Sequence, residues 1–242
     1  MTGANKGIGK QIAKELAGHG FTVLVGSRKL ENGEAAAKEI GELAHAIQLD
    51  VTNEKSIAAA AERVRKDFGR LDVLVNNAGI VGEFPPGTSF QDRLKFHAPS
   101  QAPLNYIRSV YETNVFGVIA VTQAMLPLLR ESPAGRIVNV GSSSGSLTLN
   151  ANPVFPYRNI FGAAYSPSKT ALAATTLAFA IELEITNIKV NVVCPGYVAT
   201  ELNDFQGFRT VEQGAKQAVK MALIGPDGPT GTFTDEDGTL PW

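Results

Sequence analysis

Apolar residues in this chain recur first at helical and then at strand spacing, and the repetition of that switch is what most constrains the fold. Residues 7–17 carry Ile8, Ile12 and Leu16 at helical spacing, and Gly18 and Gly20 end the helix ahead of the apolar run Phe21-Thr22-Val23-Leu24-Val25. The pattern then predicts a helix over 31–43, a short strand at 46–49, a helix over 54–68 and a strand at 71–75. Beyond these it predicts a helix over 106–130 and strands at 136–140 and 189–193, which flank a helix beginning near Tyr165. A helix over 211–223 and a short strand at 231–234 complete the series. Strands separated by helices pair in parallel, with helices covering both faces of the sheet. The expected class is therefore α/β, a doubly wound parallel sheet in three layers, with a ligand site at the carboxyl ends of its strands.

With 242 residues, 44% of them hydrophobic and 19% charged, the chain can bury one large core, so residues 1–242 read as a single domain. Lys plus Arg (22) nearly balances Asp plus Glu (23), and no bulk field draws the chain to nucleic acid or to a membrane. The single cysteine, Cys194, excludes an intramolecular disulfide and follows the apolar run 190–193, so it reads as buried and inert. His19, His45 and His97 are scattered, and no metal-ligand cluster is apparent. With no signal peptide, lipidation motif or membrane-spanning apolar run, the expected location is the cytoplasm.

Two motifs carry chemistry. Thr2-Gly3-Ala4-Asn5-Lys6-Gly7-Ile8-Gly9 opens directly onto a helix, where glycines let backbone approach a pyrophosphate and the free N–H groups at the positive end of the dipole receive the anion. Tyr165 and Lys169, four residues apart, share one face of a helix. An ammonium near a phenol favours the phenolate, lowering the tyrosine pKa from about 10, and such a phenol can shuttle a proton. Taken alone, the pair is a weak signal that reads as a solvated helix start. Its company is Asn76-Asn77-Ala78-Gly79, Asn114, Ser142 and Pro195-Gly196. In that order these motifs resemble the classical short-chain dehydrogenase/reductase family, almost from end to end.

The resemblance implies that Tyr165 donates a proton to a substrate carbonyl oxygen as hydride arrives from a nicotinamide ring. Lys169 would hold the nicotinamide ribose and lower the tyrosine pKa, and Ser142 would hydrogen-bond the same carbonyl oxygen, with Ser143 the runner-up in Gly141-Ser142-Ser143-Ser144-Gly145. Asn114 would distort its helix and hold a water that relays protons to the lysine. Cofactor contacts would come from Gly3, Asn5, Lys6, Gly7, Ile8 and Gly9, from Asp50 toward the adenine amine, and from the backbone of Val51. They would continue through Asn77, Ala78 and Gly79, then Tyr165 and Lys169, then Pro195, Gly196, Val198 and Thr200 around the nicotinamide. Asn76 stays open between binding and stiffening the sheet. Where an NAD enzyme places an acid, this chain has Ser27 followed by Arg28; Arg28 and Lys6 could neutralise a 2′-phosphate, which implies NADP(H). The plain alternative is that both cations are solvated.

Extra chain lies between Gly79 and Asn114, with Phe84-Pro85-Pro86-Gly87 and His97-Ala98-Pro99, and again before Tyr165, around Asn152-Pro153-Val154-Phe155-Pro156-Tyr157. Together with the ending Leu240-Pro241-Trp242 these resemble the carbonyl-reductase-like branch. Substrate loops are expected at about 83–105, 146–162 and 196–210. Phe84, Phe155, Tyr157, Phe161, Tyr197, Phe205 and Phe208 would wall an apolar pocket or simply tack these loops to the body. The expected activity is NADPH-dependent reduction of a hydrophobic ketone or aldehyde. The alternatives are a non-catalytic dinucleotide-binding sensor or scaffold of the same fold, and an epimerase or dehydratase of the extended family, whose substrate domain is longer. A homo-oligomer, dimer or tetramer, is the family default, with a monomer still open because inserted loops can cover that surface. The family places a central strand before the glycine turn, yet only Met1 precedes Thr2; we expect a truncated or incompletely recorded start, since losing that strand leaves two buried edges unpaired. An inactive truncated product is the remaining possibility.

Overall fold

A computed structural model describes residues 1–82, 84, 87 and 95–242. Much of the first half of the 83–105 loop, Pro85 and Pro86 included, lies outside the described residues. Among those described, β1 (Val23–Ser27) pairs with β2 (Ala44–Gln48), and β3 (Val73–Asn76), β4 (Arg136–Val140), β5 (Lys189–Val193) and β6 (Phe233–Thr234) form a second ladder in that order. Every one of these pairings is parallel.

The first residues of the chain stand between the two ladders. Met1 N donates to Leu24 O (2.9 Å) and Gly26 N donates to Met1 O (3.0 Å), while on the other side Thr2 N donates to Val75 O (3.0 Å). Ala4 N continues the first ladder by donating to Gly26 O at 2.9 Å. A Cβ at position 26 would overlap Met1 O, so glycine is required for this approach. The inner edges of β1 and β3 are thus paired, over a short length, at the position where the central strand was expected.

Alternation along the central strands divides the core between two faces. Val75, Val138 and Val140 pack with α1 (Gly7–Gly18), α2 (Leu30–Ile40) and α8 (Val211–Ala222). Leu74, Ile137 and Val190 pack with α3 (Glu54–Phe68), α5 (Gly117–Arg130) and α7 (Tyr165–Glu182). Local chemistry sets the ends of these helices. Asn53 caps α3 by accepting from Ser56 N, and Gly69 closes it in the left-handed region (φ 74°). Gly41 (φ 121°) ends α2 at Ile40, short of the expected 43, which lets β2 start earlier than predicted.

The helix expected over 106–130 is α4 (Leu104–Tyr111), a π-helical turn at Glu112–Phe116 and then α5. Leu104–Arg130 is long and apolar enough by composition to cross a membrane. Here Val121, Leu128 and Leu129 are fully buried in the helix layer against the sheet, and Val110 is fully buried against Tyr106 and Ala164.

Candidate active site

The loops after β1, β2, β3, β4 and β5 enclose a cavity of about 1280 Å3. Its floor at one end is the glycine turn. Gly3 (φ 57°) and Gly7 (φ 54°) take left-handed conformations, and a Cβ on Gly9 would overlap Asn77 Nδ2 and the carbonyl of Gly3. Asn77 fastens that turn: its Nδ2 donates to Gly3 O (2.8 Å) and Thr2 O (3.2 Å), and the amides of Asn77 and Ala78 both donate to Thr2 Oγ1 (3.0 Å). No acid stands in the first turn of α1, and Lys6, at its N-cap, makes no side-chain cap. The helix N–H groups therefore face the cavity uncapped, a donor set that fits the pyrophosphate of a dinucleotide.

Asn5, Ile8, Arg28, Asp50 and Val51 all line this cavity. Arg28 is exposed and, among the described residues, in no ion pair, whereas Ser27 is buried. Lys6 is not simply solvated, because it forms an ion pair with Glu201. Asp50 Oδ1 accepts from Thr52 N (2.9 Å) and Thr52 Oγ1 (2.7 Å), which fixes its loop. Pro195 and Thr200 reach the cavity, but Gly196 and Val198 do not line it; the Val198 side chain is buried against Gly214 of α8.

At the other end of the cavity stand Tyr165 and Lys169. Tyr165 opens α7, and Lys169 Nζ lies 5.7 Å from the centre of its ring. The ammonium is buried and donates to Val140 O at 2.8 Å. Ser142 follows β4 through Gly141; its Oγ lies 2.9 Å from Ser144 Oγ and accepts from Ser144 N at 3.2 Å. The serine turn touches α7 where Gly145 meets the Lys169 backbone, since a Cβ there would come within 2.7 Å of the Lys169 carbonyl carbon. Of the candidate serines, Ser142 is the one whose hydroxyl acts on the Tyr165 phenol, favouring its ionised form. Ser143 turns its amide to Cys194 Sγ (3.2 Å).

The electrostatics run against one expectation. Burial pushes the Tyr165 phenol up to about 12, the neighbouring Cys194 adds to the rise, and the Ser142 hydroxyl only partly opposes it. Burial also lowers Lys169 to about 8, and its ammonium is held at Val140 O. Desolvation disfavours charge on both partners, so in this structure the phenol is not lowered as the spacing alone suggested.

Asn114 sits in the π-helical turn and is fully buried. Its Oδ1 accepts from Ile80 N (2.9 Å), while its Nδ2 donates to Ile80 O (2.9 Å) and Ser168 Oγ (3.0 Å). Ser168 Oγ in turn donates to Tyr165 O at 2.6 Å. Asn76 points inward: its Nδ2 donates to Asn139 Oδ1 (2.9 Å) and Thr122 Oγ1 (3.1 Å), so it stiffens the sheet. Gly79 leaves room for Asn114 Oδ1 and Lys169 Nζ, each 3.4 Å from where its Cβ would stand.

Most of the aromatics pair with one another instead of walling the cavity. Phe84 stacks on Tyr106 (5.8 Å) and meets Phe96 edge-on (5.2 Å), Phe155 meets Tyr157 (5.8 Å), and Tyr197 meets Phe208 (6.0 Å). Phe205 alone of the seven lines the cavity. Cys194 is buried and free, as expected, but sequence reasoning missed its position: its Sγ accepts from the amides of Ser143 and Gly196 and so ties the turns after β4 and β5 together. Thr113, Ile80 and Glu201, also missed, line the cavity without any motif to mark them.

A family model described as short chain dehydrogenase matches residues 1–207. Short-chain dehydrogenase anuI from Penicillium roqueforti is 35% identical over 250 residues, which span 99% of this chain and 94% of that protein. Salutaridine reductase from Papaver somniferum is 33% identical over 291 residues, 97% of this chain and 93% of that one. Its solved structure superposes with a TM-score of 0.80 at 31% identity, covering 97% of this chain and 98% of that chain. The 3-ketoacyl-(acyl-carrier-protein) reductase of Brucella melitensis, solved with NADH, superposes with a TM-score of 0.76 at 27% identity, covering 97% of this chain and 94% of that chain.

Proposed function

This chain belongs to the short chain dehydrogenase family, oxidoreductases on a Rossmann sheet that use a nicotinamide dinucleotide, and we propose that it reduces an apolar ketone or aldehyde to the alcohol with NADPH. The observation that carries the reading is one continuous cavity with an anion-receptive glycine turn and Arg28 at one end and Tyr165 with Lys169 at the other, next to the Ser142 turn. NADPH supplies the hydride when bound. Gly3 to Gly9 and the α1 amides would hold its pyrophosphate, and Arg28 with Lys6 would hold a 2′-phosphate, with the uncharged Ser27 standing where an NAD enzyme places an acid.

The chain's own groups then handle the proton. A phenol at about 12 is protonated throughout the neutral range, the form needed to donate to a carbonyl oxygen. Ser142, whose hydroxyl acts on that phenol, stabilises charge as it develops on the same oxygen. Lys169, held at Val140 O beneath Tyr165, brings positive charge to the site. Asn114, through Ser168, fixes the first turn of α7 from which Tyr165 projects. Phe205 supports the choice of an apolar substrate, and salutaridine reductase among the relatives supports the direction of reduction.

Consumption of NADPH, with NADH in parallel, against a panel of aromatic and aliphatic ketones and aldehydes tests the proposal. NADPH should be oxidised well ahead of NADH. Replacing Tyr165→Phe should reduce kcat by at least about 10²-fold while leaving the NADPH Kd unchanged. Near-parental turnover in that variant would refute Tyr165 as the acid.

A further inference from the structure

The cation in the glycine turn is already engaged. Lys6 Nζ is ion-paired with the Glu201 carboxylate, and both residues line the cavity, one from the N-terminus of α1 and the other from the loop after β5. Glu201 is held there by its loop. Thr200 packs its methyl toward Gly7, 3.6 Å from where a Cβ would stand. Phe205 N closes the loop by donating to Thr200 O (2.9 Å), and Asp204 (φ 51°) and Phe205 (φ 59°) both adopt the left-handed conformation that non-glycine residues rarely take. The pair remains largely exposed, at 61% and 59% of the side-chain surface, so exchanging one anionic partner of Lys6 for another costs little.

We propose that Glu201 is a specificity residue that selectively weakens binding of the phosphate-bearing dinucleotide, by occupying Lys6 and by presenting a carboxylate to the cavity that must receive the phosphate. The proposal rests on the NADPH reading above. A 2′-phosphate would have to displace Glu201 from Lys6 and then remain near its negative charge, whereas NADH, lacking that phosphate, would not compete for Lys6. Removing the charge relieves both effects for NADPH alone. Lys10 is similarly paired with Glu39 at the edge of the same cavity, whereas Arg28, which also lines it, is in no ion pair among the described residues.

The test is the Kd of NADPH and of NADH, read from dinucleotide fluorescence on the full chain, for the parent, Glu201→Gln, Lys6→Gln and the double variant. Glu201→Gln should tighten NADPH by about three- to tenfold and NADH by less than about twofold. The gain should vanish in the Lys6→Gln background and shrink at about 0.5 M salt, where exposed charges are screened. Weaker NADPH binding in Glu201→Gln would overturn the proposal by making the pair a strap that retains ligand. Equal tightening of both dinucleotides, or none, would overturn it with the NADPH reading intact. A parent protein that prefers NADH would instead overturn the NADPH reading, and this inference with it.

Discussion

Lys169 concentrates the physics of the site in one residue. It is an ammonium only 5% exposed, its hydrogen bond goes to a carbonyl, and burial lowers its pKa from 10.5 to about 8. Between those pH values the unfolded chain holds a proton that the folded chain has released, so this group adds stability as pH rises from about 8 toward 10.5 and subtracts from it below 8. Tyr165 acts oppositely, from 10 to about 12, where the folded chain keeps a proton that the unfolded chain loses. Lys169→Met should therefore gain stability relative to the parent at pH 7, and the difference should narrow toward pH 10. Denaturant midpoints at pH 7, 8, 9 and 10 measure it, and a difference independent of pH would show that the buried ammonium is not strained. The side-by-side placement of Tyr165 and Lys169 was legible from their spacing. The direction of the phenol's shift was not, because it depends on how much water the fold removes.

At the scale of the element, the long helix before β4 matters most for its defect. Asparagine is a poor helix former, and Asn114 lies within the π-helical turn that joins α4 to α5. Its amide satisfies both backbone groups of Ile80 and reaches Ser168 at the start of α7, so one side chain joins the turn after β3 to the helix that carries Tyr165. Asn114→Ala should leave the Ile80 N–H and C=O without those partners, at about 1–3 kcal/mol each. A urea midpoint should register a loss of about 2–4 kcal/mol, and a loss below about 0.5 kcal/mol would mean that water replaces the amide at no cost. Sequence marked Asn114 as unusual in a helix; its three partners come from segments far along the chain and only the packed structure joins them.

For the whole molecule, the sheet separates function from support along its strands. Arg28, Asp50, Asn77, Ser142 and Pro195 follow the carboxyl ends of β1 to β5, which is where parallel α/β sheets place ligands. The opposite end carries Arg136, a buried guanidinium at the start of β4, whose Nε donates to Ile224 O (2.9 Å) and whose Nη1 donates to Gly135 O (2.8 Å) and Asn187 O (3.3 Å). It fastens the end of α8 and the approach to β5 to the central strand. Arg136→Ala should cost about 2–4 kcal/mol by denaturant midpoint while the dinucleotide Kd changes by less than about twofold, because no site residue leans on it. A large change in Kd would mean that the two ends of the sheet are coupled.

What the sequence determined by itself was local and periodic. Apolar spacing specifies which segments are strands and helices, glycines specify where backbone must approach backbone, and the order of these elements leaves a parallel sheet with its site at one end. Tertiary structure alone decided everything that depends on distant groups meeting. It set Met1 to Ala4 between β1 and β3, turned Asn76 into the sheet and Asn77 onto the glycine turn, and paired the loop aromatics with each other. It also placed Glu201 against Lys6, 195 residues away in the chain. The physical reason is that hydrogen bonds, ion pairs and desolvation act over a few ångströms of space, and no period in the chain encodes which residues folding will bring within that range.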